Sequence, residues 1–245
     1  LATGLGQMVP ALAGLVFFLN QKHALHLTRF TMHTKELIQA CYNGSSEMVN
    51  QFSNAVITFL FNIILMRLAG PNGVAAITIL LYGQFLFNAF YLGLSIGTSP
   101  IVGYQYGAGN RKELKSIYRI SFRFVSLSSV IIAFAAVYLS TSIVTIFTDD
   151  PKTHALAVTG FGIFAYNFLF SGFNIASSGF FTALSDGKSS AIISFCRTLL
   201  FTVISLLVLP RFFGVNGAWL AIPVAEFVTL LLSIWMHRKY LYRFI

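Results

Sequence analysis

The chain has 245 residues, of which 56% are hydrophobic and 9% charged, and its mean hydropathy is +0.77. Soluble domains carry about 25% charged residues, so this composition excludes a solvated surface around a 27.0 kDa body, and its apolar content excludes disorder. Sixteen basic and seven acidic residues give a net charge of +9, and a polytopic helical membrane protein accommodates both the apolar bulk and the basic excess.

A helix needs about 20 mostly apolar residues to cross a hydrocarbon core about 30 Å thick. Runs nearly free of charge predict seven such helices, at 1–21, 44–66, 74–98, 124–148, 153–185, 189–210 and 215–236. They are apolar on nearly all sides, as helices in lipid are, and they lack the short alternating pattern of a β-barrel. Short connections separate most of them. Gly70-Pro71-Asn72-Gly73 reads as a tight turn, and Gly107-Ala108-Gly109-Asn110 as a helix end with glycines free to take positive φ. Asp149 and Asp150 are expected to be solvated, with Pro151 in the first turn of the helix that follows. Asp186 is expected to cap the next helix.

Lysine and arginine fall unevenly on the two ends. Lys22, Arg29, Lys35, Arg111, Lys112, Lys115, Arg119, Arg123, Lys188, Arg238, Lys239 and Arg243 lie at one end. Arg67, Lys152 and Arg211 lie at the other. The richer end is expected to be cytoplasmic, with the C-terminus. Topology thus accounts for the net charge, and no nucleic-acid partner is needed. The expected location is a plasma membrane, in the manner of a bacterial inner membrane. Leu1 then starts outside, which implies further spans upstream. A shift of 219 residues places Leu1, Ala2, Val9 and Leu12 on Leu220, Ala221, Val228 and Leu231, with Gln7 on Glu226. That faint repeat fits a transporter built from two similar halves.

Several segments, taken in order, carry a resemblance. They are Asn43-Gly44-Ser45-Ser46-Glu47; Leu68-Ala69-Gly70-Pro71-Asn72-Gly73; the run Pro100 to Asn110 followed by Arg111, Lys112 and Lys115; Gly179 to Leu184; and Gly214-Val215-Asn216-Gly217-Ala218-Trp219 ahead of Pro223 and Glu226. In this order and spacing the sequence resembles the multidrug and toxic compound extrusion (MATE) family. The resemblance implies an all-α polytopic membrane protein whose seven transmembrane helices are helices six to twelve of a two-lobe, twelve-helix transporter. Residues 1–21 would be the last helix of a missing amino-terminal lobe and 22–43 a basic cytoplasmic inter-lobe linker. Residues 44–236 would be the six-helix carboxy-terminal lobe and 237–245 a cytoplasmic tail. It also implies a secondary active exporter, an antiporter of drugs or organic cations driven by an inward Na⁺ or H⁺ gradient through alternating access. The partners would be the bilayer, small organic cations and the missing lobe, with Na⁺ or H⁺ as coupling ion and no other cofactor. The alternative within the superfamily is a flippase of lipid-linked saccharides, which should show a cavity rich in Arg and Lys.

Embedded charge marks the first candidate site residues. A carboxylate within the membrane is costly unless paired, hydrated or protonated. Glu47 and Glu226 are therefore ion-coupling candidates, with Arg197 as the charge that Glu226 can pair. Glu47 has a plainer reading, as a residue stabilised by the dipole of a helix N-terminus. Glu226 has one too, as half of a structural strut with Arg197. Asn62, Gln84, Asn88, Asn167, Ser171 and Asn174 are polar groups on spans, suited to a substrate cavity or to interhelical hydrogen bonds. Tyr82, Phe85, Tyr166 and Phe173 are aromatic cavity candidates that could hold a flat cation by cation–π attraction, or simply pack. The sequence departs from the resemblance where sodium-coupled members carry a Glu and an Asp. Ala55 and Ser171 stand near those places, which puts that cation site in doubt. His23 and His26 lack the carboxylate or Cys that would complete a metal site, and no phosphate loop or catalytic serine motif is present. The two cysteines, Cys41 and Cys196, have no redox or metal spacing. These absences speak against an enzyme.

Overall fold

The computed structural model of the chain describes residues 2–19 and 34–240. The expected linker as far as residue 33, with His23 and His26, lies outside the described residues, as does the end of the tail. Every regular element among the described residues is a helix. The chain divides into a short unit, Leu1–Cys41, and a larger one, Tyr42–Ile245. The short unit contains α1, Ala2–Leu19. Its large apolar side chains from Met8 to Leu19 are exposed, as suits a helix surrounded by lipid or by a partner surface.

The larger unit is shaped by two reversals at glycine. The helical run Thr34–Gly107 contains one non-helical residue, Gly70, at φ 66° and ψ −157°. A Cβ on Gly73 would lie 3.1 Å from the Leu65 carbonyl oxygen, whereas a continuous helix would separate residues 65 and 73 by about 12 Å. The chain has therefore turned back on itself, giving α2 (34–69) and α3 (71–107). Gly214, at φ 56° and ψ −132°, repeats the device: a Cβ on Gly217 would collide with the Leu209 carbonyl. It separates α6 (187–213) from α7 (215–240). Glycine alone takes such φ values without strain. With α4, Arg111–Phe147, and α5, Pro151–Ala183, the seven expected helices are all present.

Several helices run beyond their apolar stretches. α4 starts at Arg111, not near Phe124, and the helix of α2 is already formed at Thr34, ahead of the expected start at Gly44. Charge ended the apolar run in sequence, but it does not end a helix. Lys, Arg and Glu are good helix formers, and a helix that projects from the bilayer keeps them in water.

The connections show how polar residues stop and start these helices. Gly109 takes φ 69°, and the Asn110 side chain accepts the Glu113 amide at 3.2 Å. Asp186 caps α6 as expected, accepting the Ser189 amide at 3.2 Å and the Ser189 hydroxyl at 2.6 Å. Asp150 does more than face water: it caps α5 by accepting the Thr153 amide at 2.8 Å. That backbone bond, followed by the Thr153 side chain, holds the Asp150 carboxyl below the ordinary carboxylate range. A depressed acid stabilises the fold above its unfolded pKa, and the contribution is lost as pH falls through the folded one. Acidification below about pH 4 should therefore lower the melting temperature of the wild type more steeply than that of Asp150→Asn, whose amide caps without titrating. Equal slopes in thermal melts would show that ionisation of Asp150 contributes nothing to stability.

α5 lies at the centre, packed against α4, α6 and α7. Its small residues admit close neighbours: Gly160 faces the Trp219 ring of α7, and Gly172 faces Tyr91 of α3. The main apolar core joins Phe61, Leu65, Ile77 and Leu80 to Phe161, Phe164, Phe168 and Trp219. This core occupies the end of the bundle at which Gly70 and Gly214 turn the chain. A smaller cluster of Leu114, Phe122, Phe180 and Leu184 lies towards the basic end.

Candidate functional site

Glu226 lies about 18 Å along α7 from Gly214, at ~1.5 Å per residue, which is near mid-membrane if the helix spans a core of about 30 Å. Its residue is only 4% exposed. Three helices converge on it. From α6, Arg197 Nη1 donates to Glu226 Oε1 at 3.2 Å. From α5, Asn174 Nδ2 donates to Glu226 Oε2 at 2.7 Å and to the Glu226 main-chain carbonyl at 2.9 Å. Two α7 turns further on, Ser233 Oγ donates to Asn174 Oδ1 at 3.0 Å, which fixes the amide so that its NH₂ faces the carboxylate. Each Glu226 oxygen thus accepts from a different helix, and the cluster satisfies the requirement that a buried charge be paired and hydrogen-bonded.

The backbone beneath Arg197 is unusual. Residues Cys196–Leu200 form a π-helical turn, closed by the Phe201 amide donating to the Cys196 carbonyl. The Thr202 hydroxyl donates to the Arg197 carbonyl at 2.7 Å, taking an acceptor that a regular helix would use. The extra residue in the turn changes the direction in which α6 presents Arg197, and such bulges are frequent at functional sites. Arg197 holds Glu226 through one nitrogen, not as a two-pronged fork, and its side chain is 18% exposed. The cation is therefore the loosely held member of the pair, and the carboxylate is the fixed one.

The other predicted residues disperse over the bundle. The Glu47 side chain lies outside the described residues. Ser171 is buried on α5 and donates to Asn88 Oδ1 of α3 at 3.3 Å, an interhelical bond where the resemblance led to an expected acid. Ala55 is exposed on α2. Asn167 is buried, and its amide donates to the Phe164 carbonyl at 2.6 Å, within the 3₁₀ turn Ala165–Asn167. Asn62 and Gln84 are half-buried. Tyr82, Phe85 and Tyr166 are exposed, and Tyr82 stacks on Phe147 with centroids 5.9 Å apart. Phe173 packs edge-on to Phe122 at 4.9 Å.

Sequence reasoning missed Ser233, the π turn and a group of hydroxyls that joins α5 to α6. Ser178 Oγ lies 2.9 Å from Ser190 Oγ and 2.8 Å from Ser194 Oγ, and the Thr182 hydroxyl donates to Ser190 at 2.7 Å. Small hydroxyl residues at spacings of four on two successive spans were the available signal.

Comparison with known proteins agrees with this architecture. The sequence model of the MatE family matches residues 48–207. "Multidrug export protein MepA" of Staphylococcus haemolyticus (strain JCSC1435) is 23% identical over 146 residues, or 59% of this chain and 32% of that protein. "Probable multidrug resistance protein YoeA" of Bacillus subtilis (strain 168) is 25% identical over 144 residues, 59% of this chain and 30% of that protein. Among solved structures, "Crystal structure of MATE in complex with MaL6" superposes with a TM-score of 0.86 at 18% identity, over 98% of this chain and 55% of that one. "Outward-facing conformation of a multidrug resistance MATE family transporter of the MOP superfamily" gives 0.85 at 18% identity, over 98% and 55%. The chain thus spans about a third of those relatives by sequence and about half of those structures by fold.

Proposed function

Because the chain belongs to the MatE family, we propose that it serves a secondary active exporter of drugs or organic cations, driven by an inward Na⁺ or H⁺ gradient through alternating access. The observation that carries this reading is the buried Glu226 carboxylate shared between Arg197 and Asn174. A proton or a sodium ion arriving at Glu226 competes with the guanidinium for Oε1. When it wins, Arg197 loses its partner and α6 is released from α7, while Asn174 continues to hold Oε2. The carboxylate thereby offers two packings that ion occupancy biases, which is what coupling requires. In this reading the exposed Tyr82, Phe85 and Tyr166 offer aromatic surface to a flat cation, in a cavity completed by a second lobe.

The flippase alternative asks for several embedded cations facing an anionic pyrophosphate. Among the described residues Arg197 is the cation in mid-span, and Glu226 already engages it, so the observations favour the exporter.

The test uses the whole polypeptide that carries this chain, reconstituted in proteoliposomes with a fluorescent organic cation. Uphill movement of the cation should appear under an imposed Na⁺ or proton gradient and vanish when an ionophore collapses that gradient. Movement indifferent to both gradients, or translocation of a lipid-linked anion instead, would overturn the proposal.

A further inference from the structure

The basic end of α4 has a feature that the transport site does not use. Arg111, Lys115, Arg119 and Arg123 recur every four residues, so they follow one face of the helix with a slow drift. Continuing along that face, the exposed residues become Val130, Phe134 and Val137. One helix surface thus changes from cationic to apolar without a break. Where it changes, Arg119, Phe122, Arg123 and Ser126 line a groove of about 370 Å³. Among the described residues neither guanidinium is in an ion pair.

Aromatic residues of α7 set the depth of this groove. Trp235 is 51% exposed, and Lys239 Nζ lies 4.6 Å from its ring centroid; Trp beside Lys marks a membrane–water boundary. His237, between them in sequence, packs its ring 5.5 Å from Tyr118 and 5.1 Å from Phe122. Arg119 and Arg123 each directly follow one of those two aromatics in sequence and so sit at the level of lipid headgroups. The floor is firm, because Phe122 also packs on Phe173 at 4.9 Å and Phe180 at 6.0 Å. Ser126 donates its proton to the Phe122 carbonyl at 2.8 Å, which leaves its oxygen to accept.

We propose that the groove of Arg119, Phe122, Arg123 and Ser126 is a binding site for an anionic phospholipid. Its phosphate sits between the two guanidiniums and its acyl chain lies along Val130, Phe134 and Val137. Guanidinium forks suit a phosphate, and basic pockets at the membrane surface attract acidic headgroups. The lone pairs of Ser126 suit a headgroup hydroxyl such as that of phosphatidylglycerol. Through Phe122 the site touches Phe173 on α5 and His237 on α7, so bound lipid braces three helices at this end.

The test measures phosphatidylglycerol retained, relative to phosphatidylcholine, by the whole polypeptide extracted from mixed vesicles. Arg119→Gln with Arg123→Gln removes the two charges at exposed positions while keeping long polar side chains. Retention should fall about tenfold, since each juxtamembrane basic residue contributes appreciably. Arg111→Gln with Lys112→Gln removes equal charge about 12 Å further along the helix, beyond a Debye length of about 8 Å, and should cost less than about twofold. Inorganic phosphate should not displace the lipid. Equal losses in the two pairs, no loss in the first pair, or displacement by phosphate would each overturn the proposal.

Discussion

Arg197→Met is expected to destabilise the folded protein by about 3–5 kcal/mol, and adding Glu226→Leu to it is expected to recover most of that loss. Removing only the arginine leaves a carboxylate in mid-span with Asn174 as its remaining donor at 2.7 Å. An unpaired buried charge is costly because water is absent and the low dielectric amplifies the deficit. Removing both charges substitutes two apolar side chains, which lipid-embedded helices accommodate. Thermal melts of the purified whole polypeptide in one detergent give the cycle, and the two substitutions should be strongly non-additive. Additive losses would mean that the pair does not interact in the folded protein.

Gly172→Ala should be a damaging one-carbon change on α5, costing about 1–3 kcal/mol. A Cβ there would sit 2.5 Å from a Tyr91 ring carbon and 2.6 Å from Ser129 Oγ. Tyr91 cannot swing aside easily: it is fully buried, and its hydroxyl donates to the Phe168 carbonyl at 3.1 Å. α3 and α4 would both have to retreat from α5. Gly162→Ala, ten residues earlier on the same helix, meets nothing within 4 Å and should leave the melting temperature unchanged or slightly raised, because alanine favours helix. If both substitutions behaved alike, close approach would not be the reason for Gly172.

The helices were legible because hydrocarbon imposes one long apolar signal that survives without any partner. The turn at Gly70 was legible in its Gly-Pro-Asn-Gly sequence, whereas Gly214 marked only the gap between two apolar runs until its positive φ showed it to be a turn. Helix ends were not, since Arg111 to Arg123 interrupts hydropathy without interrupting hydrogen bonding. At the site, Glu226 and Arg197 stood out as charges in apolar runs, and the structure joins them. Asn174 also stood out, but nothing in its spacing showed which helix it would meet. Ser233 and the π turn at Cys196–Leu200 were hidden, because both depend on which atoms the folded helices bring together. Asn167 was grouped with Asn174 among the polar residues on spans, yet it bonds within its own helix. The 3₁₀ turn there alters the register that a regular helix would have kept.

In the proposed mechanism Glu226 is the group through which an ion drives transport. Its most direct test is gradient-driven cation flux by Glu226→Gln in proteoliposomes, beside wild type reconstituted at equal density. Glutamine keeps the size and the Asn174 contact but can neither titrate nor carry charge. If Glu226 has that role, flux falls at least about tenfold, the change expected for loss of roughly 1.4 kcal/mol of coupling, while substrate still binds. Wild-type flux with an unchanged dependence on the gradient would contradict it.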